Sequence, residues 1–213
     1  MKAMQKMVAP DGKEICLFPL AYMRVTQGEG GSYSHENTYN FDFSGWGVNG
    51  KVNKCPYYAP CTLRCVAIAF PLSNNRVYQS VNPVHLADGT VDYLTISFSH
   101  DDNPRWGVGS IVQQGDIIGH TGTTGEVTGD HVHSCCGKGQ YQGFTYRQST
   151  LDPTTGHYDL TNRAHYYDCC YINDTVISSD GGFPWVYYGG ATLLMKSKFP
   201  WVLYAKKLRN KHK

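Results

Sequence analysis

The chain lacks a long apolar run. Its longest apolar stretches, Val66–Leu72 and Ala191–Met195, are only as long as a β-strand, whereas a membrane-spanning helix needs about 18–20 apolar residues. Residues 1–13 contain no apolar run of the kind found in a secretory signal. We therefore expect no membrane span, and we expect synthesis in a cytoplasm without export by the ordinary signal route.

Charge is also scarce. Only 17% of the residues are charged, and the formal net charge is +2, which gives no case for nucleic-acid binding. A pI of about 8.1 is compatible with an anionic polymer as partner, and equally with no special partner. The 17 acidic residues include no recognisable pair in an acid/base context, which argues against a glycosidase, because that chemistry needs two carboxylates about 5–10 Å apart.

No stretch shows three convincing turns of helical periodicity. Instead, 23 glycines and 16 tyrosines indicate strands joined by tight turns. Alternation of apolar and polar residues predicts strands at 40–44, 93–99 and 130–136, and strand-like alternation recurs at 166–177. Asp88-Gly89 is a strong hairpin signal. The predicted class is mainly β with antiparallel pairing.

Eight cysteines are present, an even number that suggests disulfides. Synthesis in a reducing compartment argues against them, and the spacing of Cys55, Cys61 and Cys65 matches no C-x2-C metal pair. Free thiols are the favoured interpretation. Late oxidation and a structural metal are the alternatives.

The triplet His131-Val132-His133 is a candidate for metal chemistry. In a strand, residues i and i+2 point to the same face, so the two imidazoles would lie side by side, roughly 7 Å apart at the backbone. Two surface histidines would explain such a triplet equally well. Its position after the Gly-rich stretch 119–129 favours a site at a strand edge, where functional residues concentrate.

A second candidate is the segment from His35 to Asp42. In a strand, Phe41 and Phe43 would share one face and Asp42 would lie on the other. Taken alone, the segment suggests a surface histidine and a turn aspartate. Together with one imidazole of the triplet, it would provide three ligands and leave a fourth position for water, the pattern of catalytic zinc, which would lower the pKa of that water toward ~7.

His100 ends the best strand of the chain. A histidine at a strand end is often merely exposed. Beside the other two pieces, it becomes a candidate for proton transfer or oxyanion stabilisation.

Several motifs, taken in order, resemble the lysostaphin/LytM family of zinc peptidoglycan endopeptidases, especially bacteriophage lysins. The resemblance covers about residues 21–137 and is carried by 22–28, the His35…Asp42 pair, Ala59-Pro60, 88–102, 112–119 and 128–133. It implies a small antiparallel β-sheet groove with extended loops. It also implies one catalytic zinc ion with the ligands His35, Asp42 and His133, and His100 and His131 as catalytic residues.

Two departures test the resemblance. Six residues separate His35 from Asp42, more than in many family members, and Glu36 is the nearest substitute ligand if Asp42 does not serve. Cys135 would share a face with His133, where relatives often carry Glu, and it is either a packing thiol or a further ligand.

Further expectations concern the groove and the domain bounds. Tyr33, Tyr39 and His120 are expected to line the groove. We expect a lead-in at 1–20, the peptidase domain at 21–180 and an aromatic, basic extension at 181–213. The extension repeats Phe-Pro-Trp-Val and ends with five Lys or Arg in eight residues.

The expected partner is bacterial peptidoglycan, with phage tail proteins as candidates. The chain would be made in the host cytoplasm and act at the cell wall as a lysin or a tail component. The alternative is a catalytically inactive wall-binding or tail-structural module of the same fold.

Overall fold

The computed structural model describes residues 6–20, 23–31, 34–47 and 49–171. The strands in these ranges are β1 (Arg24–Gln27), β2 (Phe41–Gly47), β3 (Gly50–Val52), β4 (Pro56–Tyr58), β5 (Leu63–Ala67), β6 (Arg76–Ser80), β7 (Val84–His85), β8 (Val91–Asp92), β9 (Leu94–Ser99), β10 (Ile111–Val112), β11 (Ile117–His120), β12 (Val132–Lys138), β13 (Phe144–Gln148), β14 (Gly156–Leu160) and β15 (Arg163–Ala164). A 3₁₀ turn spans Pro71–Ser73, and helix α1 spans Tyr166–Cys169. Within the described ranges, no helix is long and apolar enough to cross a membrane.

The main sheet has the order β1-β2-β12-β9-β6-β5-β10, with β3 beside β2 and β15 beside β12. Its pairings are antiparallel, so the predicted mainly β, antiparallel class is confirmed. The predicted turn at Asp88-Gly89 joins β7 to β8, while β9 continues into the main sheet. The strand predicted from Tyr166 is wrong over α1, because these residues form one helical turn that covers the core.

Aromatic side chains fill the core on one face of the main sheet. Phe41 and Phe43 of β2 are fully buried, and their rings are stacked with centroids 5.3 Å apart. Tyr166 of α1 packs edge-on against both rings, and Phe18 completes the cluster. Burying a side chain of this size contributes roughly 1.5–3 kcal/mol, so β2 is fixed with this face inward.

The opposite face of the sheet is covered by the hairpin of β13 and β14. Leu160 of β14 packs with Val77 of β6 and Cys135 of β12, and Phe144 of β13 lies against the same cluster. This hairpin therefore lies on the face of the sheet that does not carry the aromatic core.

The cysteines are all buried, with free thiols. The sulfurs of Cys16 and Cys170 lie 3.6 Å apart. Burial raises the pKa of the Cys16 thiol well above its usual value, and the neighbouring thiols of Cys170 and Cys61 act in the same direction. The Cys16 thiol is therefore a protonated packing group in this structure.

The N-terminal segment, although it forms only isolated bridges, packs into the body of the protein. Ile15, Leu17 and Phe18 are buried. Gln114, itself buried, accepts a hydrogen bond from the Met7 amide at 2.8 Å and donates to the Ile15 carbonyl at 2.8 Å. It also donates to the carbonyl of Pro60 at 3.0 Å. One side chain thus ties the segment to the sheet.

The expected domain bounds stay a prediction. The extension at 181–213, with both copies of Phe-Pro-Trp-Val, lies outside the described residues, and so does Tyr33.

We expect Gln114→Ala to lower the free energy of unfolding by about 2–4 kcal/mol, because buried backbone groups of the N-terminal segment lose their partner. Urea denaturation measures the change. The neighbouring Gln113 is exposed, so Gln113→Ala is the matched control and should change stability by less than about 0.5 kcal/mol. Equal effects of the two substitutions would contradict the role given to Gln114.

Candidate metal centre

Three ligand-type side chains converge at one end of β2 and β12. Within the described residues, His35, Asp42 and His133 form a group whose ligand atoms all lie within 4.8 Å of one another. Asp42 Oδ1 is 3.0 Å from His133 Nδ1 and 3.5 Å from His35 Nε2. The two ring nitrogens are 3.2 Å apart. The structure therefore brings together the three residues that the sequence predicts as zinc ligands.

Sheet register aligns two of these residues. Asp42 of β2 lies directly opposite His133 of β12, and His133 in turn lies opposite Ser99 of β9. His100 follows Ser99 at the end of β9, so it emerges beside the same row. Directly opposed residues have their side chains about 5 Å apart, which brings these groups within reach of one another.

His35 enters from the loop between β1 and β2 and is only 1% exposed. Its backbone N–H donates to the Gly31 carbonyl at 3.0 Å. Its ring Nδ1 lies 3.2 Å from the carbonyl oxygen of Gly28. A carbonyl only accepts, so Nδ1 carries the proton and Nε2 presents a lone pair to the centre.

This donor set fits a cation. The bare Nε2 of His35 and the carboxylate of Asp42 are both electron-rich, and both face the same point near His133. Burial raises the pKa of Asp42, but hydrogen bonds with His133 and His35 outweigh it and hold that pKa well below its usual value. Two nitrogens and one ionised oxygen suit zinc, whose catalytic sites use three such ligands.

His131 and His100 lie beside this group, with ring centroids 4.7 Å apart. The Nδ1 of His131 donates to the Gly129 carbonyl at 2.8 Å, and the Nδ1 of His100 donates to the Thr124 carbonyl at 2.8 Å. Each ring in its neutral form therefore carries a lone pair on Nε2. His131 Nε2 lies 3.6 Å from Asp42 Oδ1, so this lone pair borders the candidate ligands.

His100 has an unusual backbone. Its φ is +76°, a left-handed conformation that is uncommon for a side chain of this kind. Its N–H donates to the Ser73 carbonyl at 2.7 Å, and its carbonyl accepts from the Thr124 N–H at 3.2 Å. Such strain persists where surrounding contacts impose it, and it is frequent at functional sites.

Gly122 lies between the backbones of His131 and His100. In the sequence, only the Gly-rich stretch around it points to this position. Its N–H and carbonyl pair with the carbonyl and N–H of His131 at 3.0 and 3.1 Å. A Cβ on Gly122 would lie 2.0 Å from the His100 carbonyl oxygen and 2.8 Å from the Asp102 nitrogen. A side chain is therefore excluded at this position.

The predicted groove residues have different surroundings. Tyr39 is half-buried, with its ring stacked on His165 at 4.1 Å and covered by the Arg163 guanidinium at 4.3 Å. His120 ends β11, and its backbone N–H donates to Asp101 Oδ2 at 2.9 Å. Neither observation tests their place in a groove, which stays a prediction.

The two departures noted in the sequence also have definite positions. Glu36 turns away from the centre and bonds the hydroxyls of Ser149 and Thr150. Cys135 does share the face of His133, but it is buried under the hairpin, with its sulfur 3.5 Å from the Ser97 hydroxyl. It is not part of the ligand group found among the described residues, and its surroundings are those of a packing thiol.

His157, to which the sequence assigns no partner, lies near the centre on β14. Burial lowers its pKa, and the neighbouring His133 and His35 lower it further. No sequence motif connects His157 with the centre, because the connection depends on how the hairpin packs.

We expect Gly122→Ala to destabilise the fold by about 3 kcal/mol, because the new methyl group meets backbone atoms that cannot move aside easily. Thermal unfolding measures the loss. A Cβ on Gly107 meets nothing within 4 Å, so Gly107→Ala is the control and should unfold near the wild-type temperature. Wild-type stability of Gly122→Ala would show that the close approach to His100 is absent.

We expect His100 of the metal-free protein to titrate near pH 4. Burial lowers its pKa from 6.5 to about 4, the nearby His133 lowers it as well, and the hydrogen bond to Thr124 opposes them only in part. The unfolded chain takes up this proton at higher pH than the folded chain, so the stability from neutral His100 is lost as the pH falls from about 6.5 to about 4.

NMR titration of the ring Cε1 proton gives the midpoint, and the spectrum of His100→Gln identifies the resonance. A midpoint above pH 6 would contradict the burial of this ring.

Comparison with known proteins gives relatives in sequence and in structure. No protein-family model matches the chain. The chain is 35% identical over 175 residues to Morphogenesis protein 1 of Bacillus phage B103. The match takes in 82% of this chain but 44% of that relative, so the chain spans less than half the length of the phage protein.

Among solved structures, the chain is similar to a zinc-containing peptidase from Vibrio cholerae (19% identity, 63% of this chain and 43% of the other, TM-score 0.42). It is also similar to the catalytic domain of the prophage-encoded M23 protein EnpA from Enterococcus faecalis (17%, 59% and 88%, TM-score 0.40). A third is the catalytic domain of lysostaphin from Staphylococcus simulans (18%, 62% and 84%, TM-score 0.39). These similar structures include lysostaphin itself, and the sequence resembles the same type of peptidase.

Proposed function

We propose that this chain is a zinc-dependent endopeptidase that hydrolyses peptide bonds of bacterial peptidoglycan. The observation that carries the proposal is the convergence of His35, Asp42 and His133 on one point, with the lone pairs of two further histidines beside them. A structural zinc site would use four protein ligands. A set of three with histidines alongside suits catalysis instead.

In this proposal, His35 Nε2, Asp42 and His133 Nδ1 hold the zinc ion. Zinc bound there supplies a Lewis acid for the scissile carbonyl. The Gly28 carbonyl fixes the ring of His35, since a ligand imidazole is oriented by the hydrogen bond of its other nitrogen.

His131 and His100 handle the proton in this proposal. Their Nδ1 atoms are committed to the Gly129 and Thr124 carbonyls, so each Nε2 can accept a proton from the attacking water. The lowered pKa of His100, about 4, keeps this ring neutral near pH 7. Because the Nδ1–H is committed to the Thr124 carbonyl, the neutral ring presents a lone pair at Nε2, which suits proton acceptance better than oxyanion stabilisation.

The substrate and the setting are proposed from the resemblance and the relative. Lysostaphin/LytM-type enzymes act on peptidoglycan peptides, and the sequence relative is a phage morphogenesis protein. We therefore propose a phage protein that acts at the host wall, either as an endolysin or as a tail-associated hydrolase with tail proteins as partners. An inactive wall-binding module of the same fold is the alternative that the experiment below must exclude.

We expect about one zinc ion per wild-type chain and about 0.1 or less for His133→Ala, because two ligands alone hold zinc weakly. We also expect the rate of wall digestion to fall at least about 100-fold in this variant. Elemental analysis measures the metal, and the release of new free amines from purified walls measures the reaction.

Gln113→Ala, an exposed change far in sequence from the ligands, should keep both properties. New reducing ends in place of new amines would indicate a glycosidase. Zinc binding without any product would identify the inactive module.

A further inference from the structure

The hairpin of β13 and β14 is attached to the segment that carries two of the candidate ligands. Glu36, next to His35, binds the Ser149 and Thr150 hydroxyls and accepts from the Leu151 N–H at 3.1 Å. Nearer to Asp42, the side-chain amide of Asn40 donates to the carbonyl of Tyr158 at 3.1 Å. The hairpin is therefore held against the centre at both its tip and its stem.

The hairpin also lies on the sheet face that carries the centre. Leu160 packs on Cys135, and Cys135 lies two residues along β12 from His133 on the same face. His157 shares a face of β14 with Asp159, because the two residues are two apart in the strand, and Asp159 accepts a hydrogen bond from the Tyr39 N–H at 2.8 Å. This face of β14 is therefore turned toward the segment that joins His35 to Asp42, and the charges of His133 and His35 help burial to lower the pKa of His157. His157 therefore lies on the side of the hairpin that faces this segment, and the residue is exposed.

Arg147 lies directly opposite His157 in the hairpin. Opposed residues of an antiparallel pair share a face, with their Cβ atoms about 5 Å apart. Within the described residues, the Nε of Arg147 is shielded from solvent and has no hydrogen-bond partner, and no described carboxylate forms an ion pair with this guanidinium. Within the described residues, this guanidinium therefore keeps a donor available for an anionic ligand.

We propose that Arg147 and His157 form a subsite that binds a free carboxylate of the substrate peptide beside the metal centre. Arginine offers a planar fork of donors that matches a carboxylate, and the neutral imidazole of His157 adds one N–H donor. The proposal rests on the proposed function, because it assigns the peptide as substrate. Glu36 acts as a positioning residue, since it holds the hairpin that carries the pair.

The test compares two substrate pools with the zinc-loaded full-length chain. One pool is soluble wall peptides with free carboxylates. The other is the same pool after its carboxylates are converted to amides with carbodiimide and ammonia. Arg147→Gln should raise KM about 10-fold on the free pool, leave kcat nearly unchanged, and leave KM on the amidated pool unchanged. Arg147→Lys should restore part of the loss, because it keeps the charge without the fork.

Arg105→Gln is the matched control. Arg105 is exposed, and its guanidinium lies over the ring of the adjacent Trp106, so its loss should alter neither pool. An equal effect of Arg147→Gln on both pools, or none on either, overturns the subsite while leaving the peptidase in place. Failure of the wild-type chain to cut either pool overturns the proposed function and the subsite with it.

Discussion

Asp42 and His133 lie opposite each other because the strands that carry them are held by their buried faces. Phe41 and Phe43 fill the core on one side of β2, and Val132 does the same for β12. Side chains alternate along a strand, so the residues between these apolar positions are forced to the other side. A shift of one residue would expose the phenylalanines and bury a carboxylate without a partner. The hydrophobic core therefore sets the register that aligns the candidate ligands.

Backbone carbonyls orient the histidine rings at the centre. Three of the histidines at the centre donate Nδ1–H to the carbonyls of Gly28, Gly129 and Thr124. Each of these carbonyls belongs to an irregular segment, where backbone groups are not consumed by sheet pairing. The loops thus determine which nitrogen of each ring faces the centre, and strands alone could not do so. The left-handed backbone of His100 belongs to the same arrangement, because it is held by hydrogen bonds from both neighbouring loops.

The sequence predicted the features that depend on local patterns. The alternation around Asp42, the shared face of His133 and Cys135, and the β class follow from a period of two residues. The hypothesis that His35 joins Asp42 and His133 came from the family resemblance, and the structure brings these side chains together. Features that depend on long-range packing were not predictable. Tyr166 lies in a helical turn because its ring completes the core, although the sequence around it alternates like a strand. The contact between Glu36 and the hairpin joins residues more than a hundred positions apart.

Sequence separation at the centre has a consequence for folding order. Asp42 and His133 are 91 residues apart, and β9 and β6 must join the sheet beside β12 before His100 is in place. Contacts of this kind form late, because the chain loses conformational entropy when it closes a long loop, before strand pairing stabilises the closed loop. A chain whose synthesis has passed Asp42 but not His133 thus has only part of the ligand set and no centre. The three candidate ligands can therefore come together only after synthesis has passed β12.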